Sequence, residues 1–339
     1  MSWSFIEHIS GYLARPRLGD QKSPTQWPSE ATTLMTNDYG EEVYIGKCQR
    51  AAFFRLLVDN YNFSEKYRMF ADLVLTIEEK ALPPDPYLLW LWKCGELYEE
   101  YCVQLAKESG VFVSAQTPVF IPEYNVSGKL DIVVIDPETG KFRIVEVKSV
   151  YGFGANVVLG SPAERAKGLL GTPRESNLMQ IGLYQWWYAN KRDDFAEGLL
   201  TYGARDTGRF AEYAITVEEE NTKNFIFYQG IAPNTTRKVN SGISIENILS
   251  NYEYVSKCVD SGEIPPRSFT HRFDEETLQK LFDRGELNKT DAEQFSKRKQ
   301  QLADGKARVV KQVERGNWQC RLCGYFDLCY DKDENPTEL

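Results

Sequence analysis

Apolar residues recur at helical spacing between about residues 86 and 108, directly after a proline-rich break. Glu99 falls inside the apolar stripe, where a carboxylate is costly unless something compensates its charge. The pattern therefore predicts an amphipathic helix whose apolar stripe lies in the core and includes one acidic residue that needs a partner. The apolar stripe consists of Leu88, Leu91, Trp92, Gly95, Cys102 and Leu105. The opposite face carries Lys93, Glu96, Glu100, Gln104 and Lys107.

Strands are predicted directly after this helix. Val, Ile and Phe content with alternation indicates strands over about 111–121 and 126–149, and the turn residues 136–141 divide the second run into a hairpin. The order of elements indicates an α/β protein. The next predicted elements are a helix over about 175–191 and strands over 198–204 and 210–217.

The remaining segments differ from this core in composition. A glycine-spaced, mildly basic stretch over 150–175 predicts a mobile loop or lid beside the hairpin. A short helix is predicted near Ser4–Leu13, a second helical stretch over about Ser64–Lys80, and mostly helix over 218–262. We divide the chain into an irregular extension (1–45), a helical segment (46–84), the core (85–217), further helices (218–310, with a charged helical region over about 274–305) and a cysteine-rich tail (311–339).

Composition limits the class of protein. The 339 residues are 42% hydrophobic and 26% charged, which is ordinary for a globular protein. The net charge is −9, so any binding of nucleic acid has to use a local basic patch. The start of the chain has no signal-peptide pattern, and no apolar run reaches the length of a membrane span; we expect a cytoplasmic protein without a membrane partner. The seven cysteines then indicate reduced thiols or metal ligands rather than disulfides.

The most informative chemical pattern lies in the predicted hairpin, in the stretch Val145-Glu146-Val147-Lys148. Side chains two apart on a strand share a face, so Glu146 and Lys148 project side by side. Asp131 can come opposite them on the neighbouring strand. Two carboxylates and one ammonium group need compensation there, and Mg²⁺ or Mn²⁺ suits such oxygen ligands. The alternative interpretation is a surface hairpin with an ordinary Glu–Lys pair.

Two neighbouring helices supply further candidates. Glu99 either pairs locally or shares a metal ion with the acidic hairpin, and the hairpin that follows it favours the metal. Gln180 and Tyr184 lie four residues apart and so share one helix face. Ordinary helix packing in an aromatic-rich segment also explains that second pair.

Three signals thus stand in chain order: Gly95-(x3)-Glu99, Asp131 followed by Glu146-x-Lys148, and Gln180-(x3)-Tyr184. This ordered set resembles the RecB-like branch of the PD-(D/E)XK nucleases. The resemblance covers about residues 46–217 and 265–330 and implies a restriction-endonuclease-like core, a mixed β-sheet flanked by helices. Many relatives have His at the position of Glu99, so a harder, all-oxygen metal shell is expected here.

The resemblance also implies a role for each site residue. It implies one or two Mg²⁺ or Mn²⁺ ions bound by Glu99, Asp131, Glu146 and the carbonyl of Val147. It implies that Lys148 orients or helps to deprotonate the attacking water and offsets phosphate charge. Gln180 and Tyr184 are then expected to contact the DNA backbone or to steady the site.

The cysteines near the end of the chain form a C-x2-C-x5-C run, made of Cys320, Cys323 and Cys329, and Cys48 is the candidate for a fourth ligand. This arrangement resembles the iron–sulfur members of the same branch, the CRISPR-associated RecB-like exonucleases and the AddB-type nuclease subunits. It implies a [4Fe–4S] cluster in a helical region formed by both chain ends. A structural Zn²⁺ in a Cys₄ site fits the spacing as well. The other cysteines, expected to be buried apolar residues, are Cys94, Cys102 and Cys258.

The resemblance implies a metal-dependent DNA nuclease, an exonuclease on single-stranded or frayed DNA ends in repair, recombination or DNA processing. Its expected partners are DNA and the proteins of a DNA-processing complex. One alternative is a non-catalytic DNA-end-binding or scaffold subunit that retains the fold; another is a zinc-stabilised adaptor that binds protein. The intact set of Asp, Glu and Lys favours the enzyme.

Overall fold

The computed structural model describes residues 25–62, 64–81, 86–189, 191–231, 237–306 and 308–330. The chain divides into two units, one up to Pro266 and one from Arg267 onward. The helix expected near Ser4–Leu13 lies outside the described residues. None of the helices in the described part of the chain is long and apolar enough to cross a membrane.

The first unit contains a mixed β-sheet. A β-hairpin precedes it, formed by β1 (Thr32–Thr36) and β2 (Glu42–Gly46). Strands β5 (Phe142–Val150) and β6 (Gly198–Ala204) of the sheet run parallel, and the other neighbouring pairs are antiparallel. The predicted α/β class with a mixed, helix-flanked sheet is therefore confirmed. Within the described residues the sheet has seven strands, which are neighbours in chain order: β3 (Phe112–Ile121), β4 (Val126–Ile135), β5 (Phe142–Val150), β6 (Gly198–Ala204), β7 (Phe210–Glu220), β8 (Lys223–Gly230) and β9 (Val239–Ser244).

Helices flank this sheet. They are α1 (Gln49–Asn60), α2 (Ala71–Lys80), α3 (Pro86–Glu108), α4 (Gly152–Leu159), α5 (Pro162–Ala166), α6 (Glu175–Ala189) and α7 (Ile245–Ser261). Helix α6 buries Leu178, Ile181 and Leu183 in the main core. Gly182 permits this close approach, because a Cβ at that position would overlap the side chain of Ile226 in β8. Helix α6 is thereby packed directly on the sheet, at β8.

Two expectations about the surrounding segments were wrong. Residues 218–262 were expected to be mostly helical, but β8 and β9 extend the sheet before α7 begins at Ile245. The expected boundary after residue 217 therefore falls inside β7. The apolar run in Lys223–Gly230 is short, and periodicity alone does not distinguish a buried strand from a helix over such a length.

Regular structure also occurs where irregular segments were expected. The extension over 1–45 contains β1 and part of β2, and Thr32 and Thr33 are buried. The stretch 150–175, expected to be a loop or lid, contains α4 and α5. Helix α4 buries Ala155, Val158 and Leu159 in the core, and Gly152 and Gly154 belong to its first turn, so this part of the stretch is a packed helix.

The second unit is helical over the region predicted to be helical. Its described helices are α8 (Glu275–Asp283), α9 (Lys289–Ala303), α10 (Trp318–Arg321) and α11 (Phe326–Cys329). Asp274 and Asn288 begin α8 and α9, and each side chain accepts a hydrogen bond from a backbone N–H of the first turn. A small core of its own holds the unit together, formed by Leu278, Leu287, Phe295 and Val313.

Candidate active site

The turn between β4 and β5 sets the register of the hairpin. Oδ1 of Asp136 accepts a hydrogen bond from the backbone N–H of Glu138 at 2.9 Å, and Arg143 donates to Oδ2 at 2.7 Å. The Arg143 side chain lowers the pKa of Asp136 to about 2. Ile132 then lies opposite Val145. Asp136 and Glu138 are thus turn residues, as the sequence predicts.

The same hairpin brings Asp131, Glu146 and Lys148 together. The backbone N–H of Val147 donates a hydrogen bond to Oδ2 of Asp131 at 2.9 Å. Nζ of Lys148 donates to Oε1 of Glu146 at 2.5 Å. Glu146 is fully buried and Asp131 nearly so. The acidic residues and the lysine selected from the sequence therefore form one cluster.

Burial determines the electrostatics of this cluster. It raises the pKa of Glu146 to about 8, the charge of Asp131 acts in the same direction, and the ammonium group of Lys148 opposes both. Burial alone would lower the pKa of Lys148, but the charges of Glu146 and Asp131 outweigh it, so that pKa is raised. Lys148 is therefore a protonated cation at neutral pH, held beside acidic groups.

Helix α3 forms one wall of a cleft beside this cluster. Its apolar stripe was expected to lie in the core, but Trp92 is 56% and Leu105 41% exposed. A 3.6-residue period shows that the apolar residues share a direction, and it does not distinguish a core from a cleft wall. The cleft has a volume of about 450 Å³ and is lined by Leu88, Leu91, Trp92, Gly95, Glu96, Glu99, Asp131, Val147, Lys148, Ser149 and Arg205.

Close contacts hold α3 against the sheet. Gly203 in β6 receives the ring of Tyr98, because a Cβ at Gly203 would overlap the Tyr98 hydroxyl. Gly95 is less tightly packed, since a Cβ there would lie 3.7 Å from Oγ of Ser149. The position of Glu99, one residue after Tyr98, is thus determined by the contact between Tyr98 and Gly203.

Glu99 is half-buried and lines the cleft together with Asp131. Burial raises the pKa of Glu99, the charge of Asp131 raises it further, and a hydrogen bond from Gln116 lowers it. The local partner of Glu99 is therefore the neutral amide of Gln116, which donates from Nε2 to Oε1. This partner brings no positive charge, and the ammonium group of Lys148 lowers the pKa of Glu99 only through space, against the effect of burial and of Asp131.

Gln116 is a site residue that the sequence did not indicate. It lies in β3 with φ of 51°, in the left-handed region that residues other than glycine rarely adopt. Such a conformation costs about 1 kcal/mol or more. It occurs between the register pairs Ala115–Ile132 and Thr117–Leu130, next to the strand position of Asp131. Strand alternation carries no signal for a single left-handed residue.

Tyr184 reaches the cluster from α6, but from the interior. Its side chain is 1% exposed, and a Cβ at Gly128 would lie 2.5 Å from its hydroxyl. Burial raises the pKa of Tyr184, as does the charge of Glu146, whereas a hydrogen bond with Gln180 lowers it. The expected contact of Tyr184 with a DNA backbone is inconsistent with this burial. The alternative role, steadying the site, is consistent with it.

Arg205 is a second cleft residue that sequence analysis did not select. It follows the last residue of β6, and its backbone N–H donates to the carbonyl of Val150 at the end of β5. The guanidinium carbon lies 5.0 Å from the ring centre of Tyr151, and within the described chain Nε has no hydrogen-bond partner. Because β5 and β6 are parallel, their carboxyl ends meet at one edge; knowing that pairing would have indicated Arg205.

The charged residues of the cleft lining do not by themselves favour phosphate. The carboxylates Glu96, Glu99 and Asp131 outnumber the cations Lys148 and Arg205 by one. A phosphate group is an anion, so it requires an additional positive charge in this cleft. A divalent cation would supply that charge.

The carboxylates of the cluster are suitable donors for such a cation, although they do not converge on it here. Among the described residues, no group of three or more His, Cys, Asp or Glu side chains is arranged to hold a metal ion. Instead, Asp131 accepts a hydrogen bond from the Val147 N–H, Glu146 from Lys148 and Glu99 from Gln116. Oε2 of Glu146, however, is buried without a hydrogen-bond partner in the part of the chain that the structure describes. A buried, unpartnered carboxylate oxygen beside Asp131 fits the oxygen ligands that Mg²⁺ and Mn²⁺ prefer.

The cysteines of the predicted cluster are distributed over the two units. Cys48 is half-buried and precedes the first residue of α1. In the second unit, Cys320 lies in α10, and its carbonyl accepts a hydrogen bond from the backbone N–H of Cys323 at 3.3 Å. Cys329 is the last residue of α11. All seven cysteines belong to the described residues, and none is in a disulfide. The others are Cys258, which is buried, and Cys94 and Cys102, which are half-buried.

No family model matches the chain, and no curated protein matches it. The functional assignment therefore depends on the residues of the cleft, their burial and their charges.

Proposed function

We propose that this chain is a metal-dependent DNA nuclease that hydrolyses phosphodiester bonds, with Glu99, Asp131, Glu146 and Lys148 at its active centre. One observation carries the proposal. Glu146 is fully buried, has a raised pKa and an unpartnered Oε2 among the described residues, and binds a lysine that lines an open cleft. A carboxyl group whose pKa is strongly shifted by burial and by a specific charged partner, beside a cleft, is typical of functional sites.

Each protein group has a distinct task in this proposal. Asp131, oriented by the Val147 N–H, and Glu146 would hold the metal together with Glu99 and the carbonyl of Val147. A bound Mg²⁺ or Mn²⁺ would supply Lewis-acid activation of water and positive charge for the scissile phosphate. Lys148 orients the attacking water and faces the phosphate as a cation, because its raised pKa keeps it protonated.

Gln180 and Tyr184 are positioning residues in this proposal. Tyr184 is buried between the Glu146 carboxylate and Gly128, so it fixes the back of the cluster from α6. The substrate is DNA with single-stranded or frayed ends, as the resemblance to RecB-like nucleases implies. The [4Fe–4S] cluster on Cys48, Cys320, Cys323 and Cys329 stays a prediction from the cysteine pattern, tested by the visible absorption spectrum of the purified protein.

The function is tested with end-labelled single-stranded and duplex DNA, incubated with Mg²⁺, with Mn²⁺ or with a chelator. We expect metal-dependent degradation by the wild-type protein and none by the Glu146→Ala variant. Metal-dependent cleavage by Glu146→Ala at the wild-type rate would overturn the assignment. DNA binding without any cleavage by the wild type would instead support the scaffold alternative.

A further inference from the structure

Two large aromatic side chains lie exposed at or beside the cleft. Trp92 on α3 is 56% exposed, and Tyr151 after β5, which contacts the cleft residue Arg205, is 46% exposed. We call these two residues the aromatic wall. Trp92 belongs to the cleft lining itself. Rings of this size exposed together at one cleft are a marker of a binding surface.

Two contacts fix the Tyr151 ring of the aromatic wall. The hydroxyl of Tyr151 forms a hydrogen bond of 2.6 Å with the hydroxyl of Tyr87, in the first turn of α3. The guanidinium of Arg205 lies 5.0 Å from the centre of the Tyr151 ring. The ring of Tyr151 is thereby held between the start of α3 and the end of β6. A ring fixed in advance loses little freedom when a flat ligand stacks on it.

The cations of the cleft adjoin these rings. Lys148 and Arg205 line the same cleft as Trp92, and Arg205 contacts the ring of Tyr151. Aromatic rings interleaved with cations bind single-stranded nucleic acid, since the rings stack on bases and the cations face the backbone. A duplex keeps its bases stacked on one another and offers no such flat face.

We propose that the aromatic wall stacks the unpaired bases of a single DNA strand, while Arg205 contacts the phosphates of that strand. This inference rests on the proposed nuclease function, because the strand leads into the cleft that holds Asp131 and Lys148. It adds the residues that recognise the substrate, and it makes the unpaired base the feature that is recognised.

The test compares two oligonucleotides of equal length and charge, one with normal bases and one abasic. Binding is measured by fluorescence anisotropy with Ca²⁺ in place of Mg²⁺, which keeps a divalent cation in the cleft. Gel electrophoresis of the same samples checks that the strand stays intact. Stacking of one base changes affinity roughly tenfold. We expect wild-type protein to bind the base-bearing strand at least that much more tightly, and Trp92→Ala to remove most of the difference.

Two variants serve as controls. Tyr101→Ala removes a ring of the same helix that is 57% exposed and is not among the described residues of the cleft lining, so binding should stay unchanged. Arg205→Ala should weaken the binding of both strands and reduce its salt dependence, and it should lower the preference for bases less than Trp92→Ala does, because it removes only one of the two contacts that hold Tyr151.

Equal affinity of the wild-type protein for both strands would overturn the inference, as would loss of the preference in Tyr101→Ala. If the protein prefers bases but does not cleave with any metal, the wall is supported and the nuclease proposal fails. If it cleaves without preferring bases, the nuclease stands and the wall is wrong. A single-stranded RNA of the same sequence shows whether the sugar contributes.

Discussion

Nζ of Lys148 lies 2.5 Å from Oε1 of Glu146, whose side chain is fully buried. This pair leaves the second oxygen of Glu146 without a hydrogen-bond partner among the described residues, and Asp131 adds a further negative charge. A buried contact between a carboxyl and an ammonium group contributes little stability unless its remaining polar atoms are satisfied. Its presence beside a cleft therefore points to chemistry.

Glu146→Gln should lower metal-dependent DNA cleavage on the order of 10²- to 10³-fold, the effect of removing one strong electrostatic contact in an active site. The amide keeps the size of the side chain, so the far-ultraviolet circular dichroism spectrum should not change. Glu138→Gln is the matched control, because Glu138 lies exposed in the turn of the same hairpin. Equal loss of activity in both variants would show that the hairpin, and not Glu146, determines the rate.

Thermal stability without metal should fall as pH rises from about 5 to 9. The folded-state pKa of Glu146 is raised from 4.5 to about 8, so the folded state binds more protons than the unfolded state in this window. The free energy of unfolding then decreases with rising pH, by several kcal/mol at most. Glu146→Gln should flatten the dependence of Tm on pH. Glu99 has a raised pKa too, so a shallow slope should remain.

Added Mg²⁺ should raise Tm, and more so at about pH 8.5 than at pH 6, because protons compete with the metal for raised-pKa carboxylates. A metal that binds only the folded state stabilises it by about 2.7 kcal/mol at a hundredfold excess over Kd. Differential scanning fluorimetry at both pH values measures this. A metal effect that is the same in Asp131→Asn as in wild type would place the bound ion elsewhere.

Gln116→Gly and Gln116→Ala should separate backbone strain from the contact with Glu99. Both variants lose the amide that donates to Glu99, so both should cleave DNA roughly tenfold more slowly, the loss of one side-chain hydrogen bond to a charged group. Glycine adopts the φ of 51° freely, so the Gly variant should be more stable than the Ala variant by about 1 kcal/mol.

The control for this pair is Asn221, which has a φ of 50° in the turn between β7 and β8. Asn221→Gly should change stability slightly and leave cleavage unaffected. If Gln116→Gly cleaves at the wild-type rate, the Gln116 amide has no positioning role, and its conformation is only a feature of the strand. Urea unfolding and the cleavage rate together decide between the two.

Gly203→Ala should destabilise the first unit by about 1–3 kcal/mol, because the added Cβ overlaps the hydroxyl of Tyr98 and displaces α3. Gly95→Ala is the matched control, because it adds the same methyl group to α3 where the helix faces Ser149. Its Cβ would lie 3.7 Å from Oγ of Ser149, an ordinary contact, and alanine favours the helix by roughly 1 kcal/mol. We expect Gly95→Ala to unfold at an equal or higher urea concentration than wild type. The opposite order of stabilities would contradict this account of how α3 is seated.

The sequence by itself determined the hairpin and its chemistry. Side-chain alternation put Glu146 and Lys148 on one face, and the turn residues from Asp136 onward fixed where the strand reverses. These are local properties, since period and turn chemistry depend on neighbours in the chain. Helix α3 and its apolar stripe were predictable for the same reason.

Tertiary structure decided what the local pattern leaves open. Whether the stripe around Trp92 faces a core or a cleft depends on which elements pack against it, and the extension of the sheet through β9 depends on strand pairing. Gln116 lies at the site because its own backbone is left-handed, and Arg205 lies there because β5 and β6 pair in parallel. These relationships join residues far apart in the chain. A periodicity carries no information about them, because it records the direction of a side chain and not its neighbour.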